Sequence, residues 1–178
     1  MRSTVIALAL AMSLPAVLSA QQPTSLPADM MKDLAGLVGN WEGEGWLQYE
    51  GMERTSFSAR EVVESRLGGL VLVLEGIATA ARDESQVIFH HGFSILTFAA
   101  PSSRFMMLTI RQDGSNTIAE VAQDAGFLEW SFEDPVLGTV KHTLRLTQSG
   151  QMFAVGDHSK DGGATWRRYY EMQLTRQQ

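Results

Sequence analysis

Apolar and polar residues alternate along most of this chain from Trp41 onward, and a period of two residues predicts β-strands. The first alternating run is the clearest, because its odd-numbered residues from Trp41 to Tyr49 form one face and its even-numbered residues the other. Two positions of the inner face are glycines, Gly43 and Gly45. A glycine within a strand marks a bend, a bulge or a close approach to the backbone. The run therefore predicts the first strand of a β-barrel that has one closed end and space inside.

Ten runs of this kind follow one another, separated by turn signals such as Asp113-Gly114. The predicted strands are Trp41–Tyr49, Arg54–Glu64, Leu70–Ala80, Gln86–Phe98, Arg104–Arg111, Asn116–Gln123, Phe127–Glu133, Thr139–Thr147, Met152–Ser159 and Thr165–Thr175. A sheet of ten antiparallel strands removes its exposed edges best by closing on itself. The pattern thus favours an all-β fold, a single antiparallel lipocalin-like β-barrel of about ten strands. A two-sheet sandwich has the same strand spacing and is the alternative.

The first forty residues carry three different signals. Residues 1–20 combine Arg2, an apolar stretch and a small-residue exit, which is typical of a secretory signal peptide. Residues 21–27 are polar with two prolines and predict a flexible lead-in, and residues 28–36 predict a short helix ended by glycine. The barrel domain is therefore expected at residues 28–178, in a periplasmic or secreted protein.

The charge and the cysteine content of the chain exclude several classes of binding partner and metal site. The chain has 14 Lys and Arg, 20 Asp and Glu, and no cysteine. Loss of the leader removes Arg2 and leaves 13 basic against 20 acidic residues, a net charge of −7. This balance argues against a nucleic-acid partner and against adhesion to an anionic membrane surface. No stable membrane insertion is expected after signal removal. Without cysteine, no disulfide or thiolate metal site can form, so the domain depends on its apolar core.

A turn motif lies before the last strand. Residues 159–166 fit the Asp-box pattern Ser-x-Asp-x-Gly-x-Thr-Trp, in which Asp161 accepts turn amides and Trp166 folds back over the loop. The pattern occurs once, whereas a β-propeller would repeat it in every blade. We therefore expect a structural hairpin and reject a propeller glycosidase.

Two resemblances support the barrel. Gly39-Asn40-Trp41 after a short helix resembles the Gly-x-Trp opening of lipocalins, where an arginine of the last strand packs across the tryptophan; Arg168 is the best match and Arg176 the alternative. The segments 37–45 and 156–166 resemble a bacterial domain-of-unknown-function family of exported proteins with a lipocalin-like barrel. That resemblance covers nearly all of the mature chain and implies a fold without an established activity.

Several polar residues share the apolar faces of their strands, and buried polar groups need partners. His91, His142 and Glu61 are of this kind, as are Arg168 and Tyr170 on the last strand. Because ligand pockets are mostly apolar with a few polar groups, we expect a small hydrophobic or amphipathic molecule inside the barrel, bound without catalysis. The expected ligand-binding residues are Trp41, Trp130 and Tyr170 as walls, and His91, His142 and Arg168 at an anionic or polar end of the ligand.

Three alternatives stay open. The sequence has no catalytic motif and too few suitably placed histidines for zinc, so neither catalytic nor metal-ligating residues are expected. No cofactor is expected either, although haem needs only one histidine, as in nitrobindin-like barrels, with His142 or His158 as its ligand. A lipophilic substrate could instead react with Glu61 or His91 as general base. A completely filled barrel would indicate a protein-interaction or envelope module.

Overall fold

The computed structural model describes residues 26–124 and 126–178, and these form a closed barrel of ten antiparallel strands. Each strand pairs with its neighbours in sequence, and the first strand pairs with the last. The strands are β1 (Gly39–Leu47), β2 (Thr55–Arg66), β3 (Val71–Arg82), β4 (Ser85–Ala99), β5 (Arg104–Arg111), β6 (Asn116–Asp124), β7 (Phe127–Asp134), β8 (Gly138–Leu146), β9 (Met152–Ser159) and β10 (Arg167–Arg176). The predicted all-β barrel is confirmed, and the sandwich alternative is wrong.

One end of the barrel is covered by the segment before β1. This segment contains a short helix, α1 (Leu26–Lys32), and a 3-10 turn at Ala35–Leu37 instead of the single predicted helix. Below it, Trp41 is fully buried, and its Nε1 donates a hydrogen bond to the carbonyl of Leu37 at 2.8 Å. The predicted signal peptide, and the lead-in up to residue 25, lie outside the described residues.

The seam between β1 and β10 closes the barrel around Trp41. Trp41 pairs with Arg176, whose guanidinium lies over the indole ring at 4.3 Å. Arg176 also donates to the carbonyls of Val38 and Gly36, so one side chain ties the last strand to the covering segment. The arginine that packs across the tryptophan is thus Arg176, and the assignment of Arg168 to that place is wrong.

Arg168 lies on the outer face of β10. Its guanidinium pairs with Asp157 at 3.0 Å and with Glu171 at 3.1 Å. The register of β10 with β9 shifts between Arg168 and Tyr170, which is a β-bulge. Because of this bulge, the neighbouring residues Tyr169 and Tyr170 both reach the interior, while Arg168 remains outside.

A second bulge changes the faces of β4. The register with β3 pairs Ala78 with His90 and then Thr79 with Ile88, so Phe89 is the extra residue. Phe89 and His90 both line the interior as a result. His91 lies on the outer face, where its Nε2 is 2.8 Å from Oε1 of Glu75. The expectation that His91 shares the inner face with Phe89 is therefore wrong, because strict alternation does not hold across the bulge.

Buried apolar side chains concentrate in the half of the barrel near Trp41. Leu96, Met152 and Leu174 are 0% exposed, and Leu34 from the covering segment joins them at 2%. This packed half closes one end of the barrel. Within residues 26–124 and 126–178, no helix has the length and apolar character that crossing a membrane would require.

The hairpin between β9 and β10 has the predicted Asp-box structure. The carboxylate of Asp161 accepts bonds from Ser159 Oγ, the Thr165 amide and Thr165 Oγ1 at 2.7, 2.9 and 2.6 Å. These bonds, those from Thr165 first, lower the pKa of Asp161 to about 2. Gly163 takes a positive φ of 91° close to the Trp166 ring. The motif is a turn that fixes the start of β10.

Candidate functional site

The half of the barrel away from Trp41 encloses a cavity of about 390 Å³. This volume lies within the range of small-molecule sites, which runs from about 300 to 1,000 Å³. Its apolar lining includes Leu47, Phe57, Leu74, Phe89, Met107, Trp130, Phe132, Leu137, Val140, Leu144 and Met172. Its polar lining includes Tyr49, Glu61, His90, Ser94, Thr109, Arg111, Thr117, Asp134, His142, Tyr169 and Tyr170. The interior is therefore not filled, which disfavours the alternative of a packed interaction module.

Glycines on the inner face provide part of this space. A Cβ at Gly76 would lie 2.6 Å from Oε2 of Glu61, and one at Gly45 would lie 2.5 Å from the Phe57 ring. A Cβ at Gly156 would meet the rings of both Tyr169 and Tyr170. A side chain at any of these positions would force a neighbouring group to move, so each glycine lets a residue of the adjacent strand lie close to the backbone. The close approach expected from Gly45 is thus observed, and it recurs around the barrel.

An aromatic cluster surrounds His142 on one wall of the cavity. Its Nε2 is 2.5 Å from the hydroxyl of Tyr169, and the rings of Trp130, Phe132 and Tyr170 each lie 5.3 Å away, edge to face. Burial, and to a lesser degree the charge of Arg111, lower the pKa of His142 to about 3. His142 is therefore a neutral imidazole at physiological pH, and its ring is held in place by the cluster.

Glu61 contributes a carboxyl group to the opposite wall. The side chain makes no hydrogen bond to any residue in the described ranges, and its accessible surface faces the cavity. Burial raises the pKa of this carboxyl to about 7. Glu61 is thus a group that exchanges a proton near neutral pH and is available to a molecule in the cavity.

Arg111, at the end of β5, places a positive charge at the same cavity. Its Nη1 donates to Ser115 Oγ at 3.4 Å and to Thr117 Oγ1 at 3.2 Å. The guanidinium carbon is 5.4 Å from the centre of the Phe132 ring. Burial, and then the charge of Arg111, lower the pKa of nearby His90. The cavity therefore combines the permanent positive charge of Arg111 with two neutral histidines.

The structure brings together only some of the residues expected at the site. Trp130, His142 and Tyr170 line the cavity, whereas Trp41 lies beyond its lining in the closed end. As described above, His91 and Arg168 lie on the outer face.

The sequence reasoning missed His90 and Tyr169, which enter the lining because of the two bulges. It also missed Arg111. A signal for Arg111 exists, because it follows Phe105, Met107 and Thr109 at two-residue spacing.

His158 is a buried polar residue that the cavity does not reach. Its Nδ1 donates to the carbonyl of Leu137 at 3.1 Å. Its Nε2 has no hydrogen-bond partner within the part of the chain that the structure describes. The ring of Tyr169 packs against the imidazole at 6.0 Å, and His158 is absent from the cavity lining. In residues 26–124 and 126–178, no three His, Asp or Glu side chains form a group that could hold a metal ion.

The fold and the cavity define a closed, ten-stranded antiparallel β-barrel with an interior chamber. No family model and no curated protein matches the sequence. Among solved structures, the chain is similar to Rv2717c from M. tuberculosis, with a TM-score of 0.63 and 14% sequence identity. The match covers 85% of this chain and 99% of that chain. At this identity the likeness shows the fold alone, and the resemblance to the exported bacterial family stays a prediction.

Proposed function

We propose that this protein binds a small hydrophobic or amphipathic molecule inside its barrel and does not catalyse a reaction. The single observation that carries the proposal is the cavity of about 390 Å³ with an apolar lining and a few polar groups. Within the described residues, Glu61 makes no hydrogen bond and Arg111 forms no ion pair, so both remain available to a molecule in the cavity. Barrels of eight or so strands are wide enough to hold one small ligand, and a ten-stranded barrel is wider.

The proposed location is the periplasm or the extracellular space, in keeping with the leader expected at residues 1–20. The proposed partner is the small molecule alone, without nucleic acid and without a stable membrane-inserted state. An acidic surface supports this, because the mature chain carries a net charge of −7 by the count given above. No cofactor is required by this proposal.

The test is to identify any small molecule that co-purifies with the protein. Protein purified from its native host is denatured, and the released small molecules are compared by mass spectrometry with those from a filled variant, Ala119→Trp. Ala119 is 5% exposed and lines the cavity, so an indole there should occupy the chamber. A molecule released by the wild type and missing from the variant supports the proposal. Identical extracts, together with no binding of any apolar probe by the wild type, contradict it.

Haem is the second candidate ligand, and the observation that favours it is the unpartnered Nε2 of His158. A nitrogen whose ring is fixed through Nδ1 on a carbonyl is oriented as an axial ligand requires. The residues fit incompletely, because Tyr169 separates His158 from the cavity and the other candidate, His142, already shares its Nε2 with Tyr169. His158 would hold the iron only after Tyr169 had moved, and haem would supply its own redox and gas-binding chemistry.

Titration with haemin distinguishes the two candidates. A Soret band that is present in the wild type and lost in His158→Ala, but kept in His142→Ala, supports haem binding through His158. If no band forms with the wild type, haem is eliminated and the small-molecule proposal is unaffected.

A further inference from the structure

A row of four residues crosses four neighbouring strands at the cavity wall. Glu61 pairs with Gly76, Gly76 with Gly92, and Gly92 with Arg111. The two central residues have no side chains, and the Glu61 carboxyl lies over Gly76 while the His90 imidazole lies over Gly92. The row carries a carboxyl at one end and a guanidinium at the other. Neighbouring strands are about 4.8 Å apart, which places the Cα atoms of Glu61 and Arg111 roughly 14 Å apart along the sheet. The carboxyl therefore does not neutralise the guanidinium, and burial alone accounts for the raised pKa of Glu61.

Arg111 has hydrogen-bond donors to spare. Only its Nη1 is engaged, with Ser115 and Thr117. Within residues 26–124 and 126–178, its Nε and Nη2 have no hydrogen-bond partner, and no carboxylate lies within ion-pair distance of the guanidinium. Asp134 also borders the cavity, but its Oδ1 accepts the amides of Val136 and Leu137.

Among the arginines of the described residues, some pair with carboxylates and others, such as the exposed Arg54 and Arg145, stack on aromatic rings without one. Those with carboxylate partners are Arg66, Arg104, Arg167 and Arg168. Arg60 also borders the cavity, but its position between Ala59 and Glu61 on β2 directs it outward. Arg111 differs from these exposed arginines because its guanidinium borders the cavity and is partly buried, and a charged group partly removed from water favours a partner of opposite charge.

We propose that Arg111 is the anchor for the carboxylate of an amphipathic ligand, whose hydrocarbon part lies against the apolar lining of the cavity. This inference rests on the function proposed above and adds the chemical class of the ligand. The free Nε and Nη2 lie on one edge of a planar guanidinium, and a carboxylate presents two oxygens to such an edge. The Phe132 ring beneath the guanidinium and the Thr117 hydroxyl hold it in position. Neutral His90 adds no opposing charge and can contribute a hydrogen bond.

The test uses three probes of equal chain length that differ only in the head group: octanoate, octan-1-ol and octylammonium. Their affinities for the purified protein are measured by isothermal titration calorimetry at neutral pH. Octanoate is expected to bind about tenfold or more tightly than octan-1-ol, since a hydrogen bond to a charged group discriminates on this scale. Octylammonium is expected to bind more weakly than the alcohol.

Variants of Arg111 test whether this residue causes the preference for octanoate over octan-1-ol. Arg111→Gln should weaken octanoate about tenfold or more and leave octan-1-ol within about threefold, which removes the preference for the acid. Arg111→Lys keeps the charge without the paired donors and should retain part of the preference. The matched control is Arg145→Gln, because Arg145 also packs on an aromatic ring, Phe153, but is exposed on the outer face. It should leave all three affinities unchanged.

Each contrary outcome has one meaning. If octan-1-ol binds as tightly as octanoate, or octylammonium binds best, the anchor is wrong while the binding function stands. If Arg111→Gln weakens both the acid and the alcohol equally, Arg111 is only structural and the inference is again overturned. If none of the three probes binds to the wild type, the proposed function fails together with the anchor.

Discussion

Replacing Glu61 by glutamine is expected to make the barrel more stable above neutral pH and to leave it nearly unchanged in acid. The folded carboxyl has a pKa of about 7, raised from 4.5 by burial. A raised pKa means that the folded state holds its proton more tightly than the unfolded chain does. The free energy of unfolding therefore falls as the pH rises from about 4.5 to about 7, because the unfolded chain releases this proton first.

The size of the effect follows from the shift. A difference of about 2.5 pKa units corresponds to roughly 3 kcal/mol at 1.36 kcal/mol per unit. Glutamine has nearly the same shape and carries no titrating proton, so the variant should lack this loss. Its advantage over the wild type should grow by about 3 kcal/mol between about pH 4.5 and about pH 8.5. Water in the cavity would make the increase smaller, without changing its sign.

The assay is urea denaturation followed by circular dichroism at several pH values, with both proteins measured under identical conditions. His142 affects both proteins equally: its pKa is lowered to about 3, so stability is lost as the pH falls from about 6.5 towards 3. Taking the difference between the two proteins removes this common contribution. Glu44→Gln is the control, because Glu44 is exposed on the outer face of β1. A difference between wild type and Glu61→Gln that stays constant with pH would refute the reasoning.

Three further predictions concern the barrel end, the terminal hairpin and the cavity floor. Arg176→Met should lower the free energy of unfolding by about 2 kcal/mol, because it loses two charged hydrogen bonds and the contact with the buried indole. The outer-face change Arg168→Met should cost less than about 1 kcal/mol. Equal losses for the two variants in urea denaturation would contradict this. Asp161→Ala should destabilise the protein at neutral pH, and this loss of stability should disappear as the pH falls below the ordinary pKa of 3.8 towards about 2, because only the ionised carboxylate stabilises the folded state. Thermal melts across that pH range test the prediction. A loss of stability that persists in acid would show that the ionised form of Asp161 does not stabilise the hairpin. Gly76→Ala should displace the Glu61 carboxyl, whose Oε2 is 2.6 Å from the new Cβ, and should lower the affinities for octanoate and octan-1-ol equally. Unchanged affinities would show that Gly76 does not border the ligand.

The strand pattern of the sequence predicted most of this fold. All ten strands begin and end within a few residues of their expected positions, because each has an inner face that must be apolar. The closing pair β1 and β10 and the burial of Trp41 were also predictable, since the Gly-x-Trp opening and the terminal hairpin are local signals. The arginine that packs on Trp41 was not predicted correctly, because Arg168 was preferred to Arg176.

The polar lining of the cavity was harder to predict. Each bulge adds one residue to a strand and reverses the faces beyond it, so His90 replaces His91 and Tyr169 joins Tyr170. A bulge results from tertiary packing and leaves no mark in a pattern of alternating residues.

Arg111 was not predicted as a cavity residue because of the composition of its strand, β5. The outer face of β5 carries Met106, Leu108 and Ile110, and Ile110 is 42% exposed. The more apolar side of this strand is thus the outer one, and hydrophobicity does not indicate the true inner face.

The glycines of the inner face also affect how such a protein can change over time. Gly76 lines the chamber, and a methyl group there would displace only the flexible end of the Glu61 side chain, so the space would change shape while every strand keeps its pairing. The length of ligand accepted by a barrel of this kind can therefore drift by individual substitutions, without any rebuilding of the scaffold. Proteins that share the strand order but carry alanine or a larger residue at the position of Gly76 should accept shorter molecules or none.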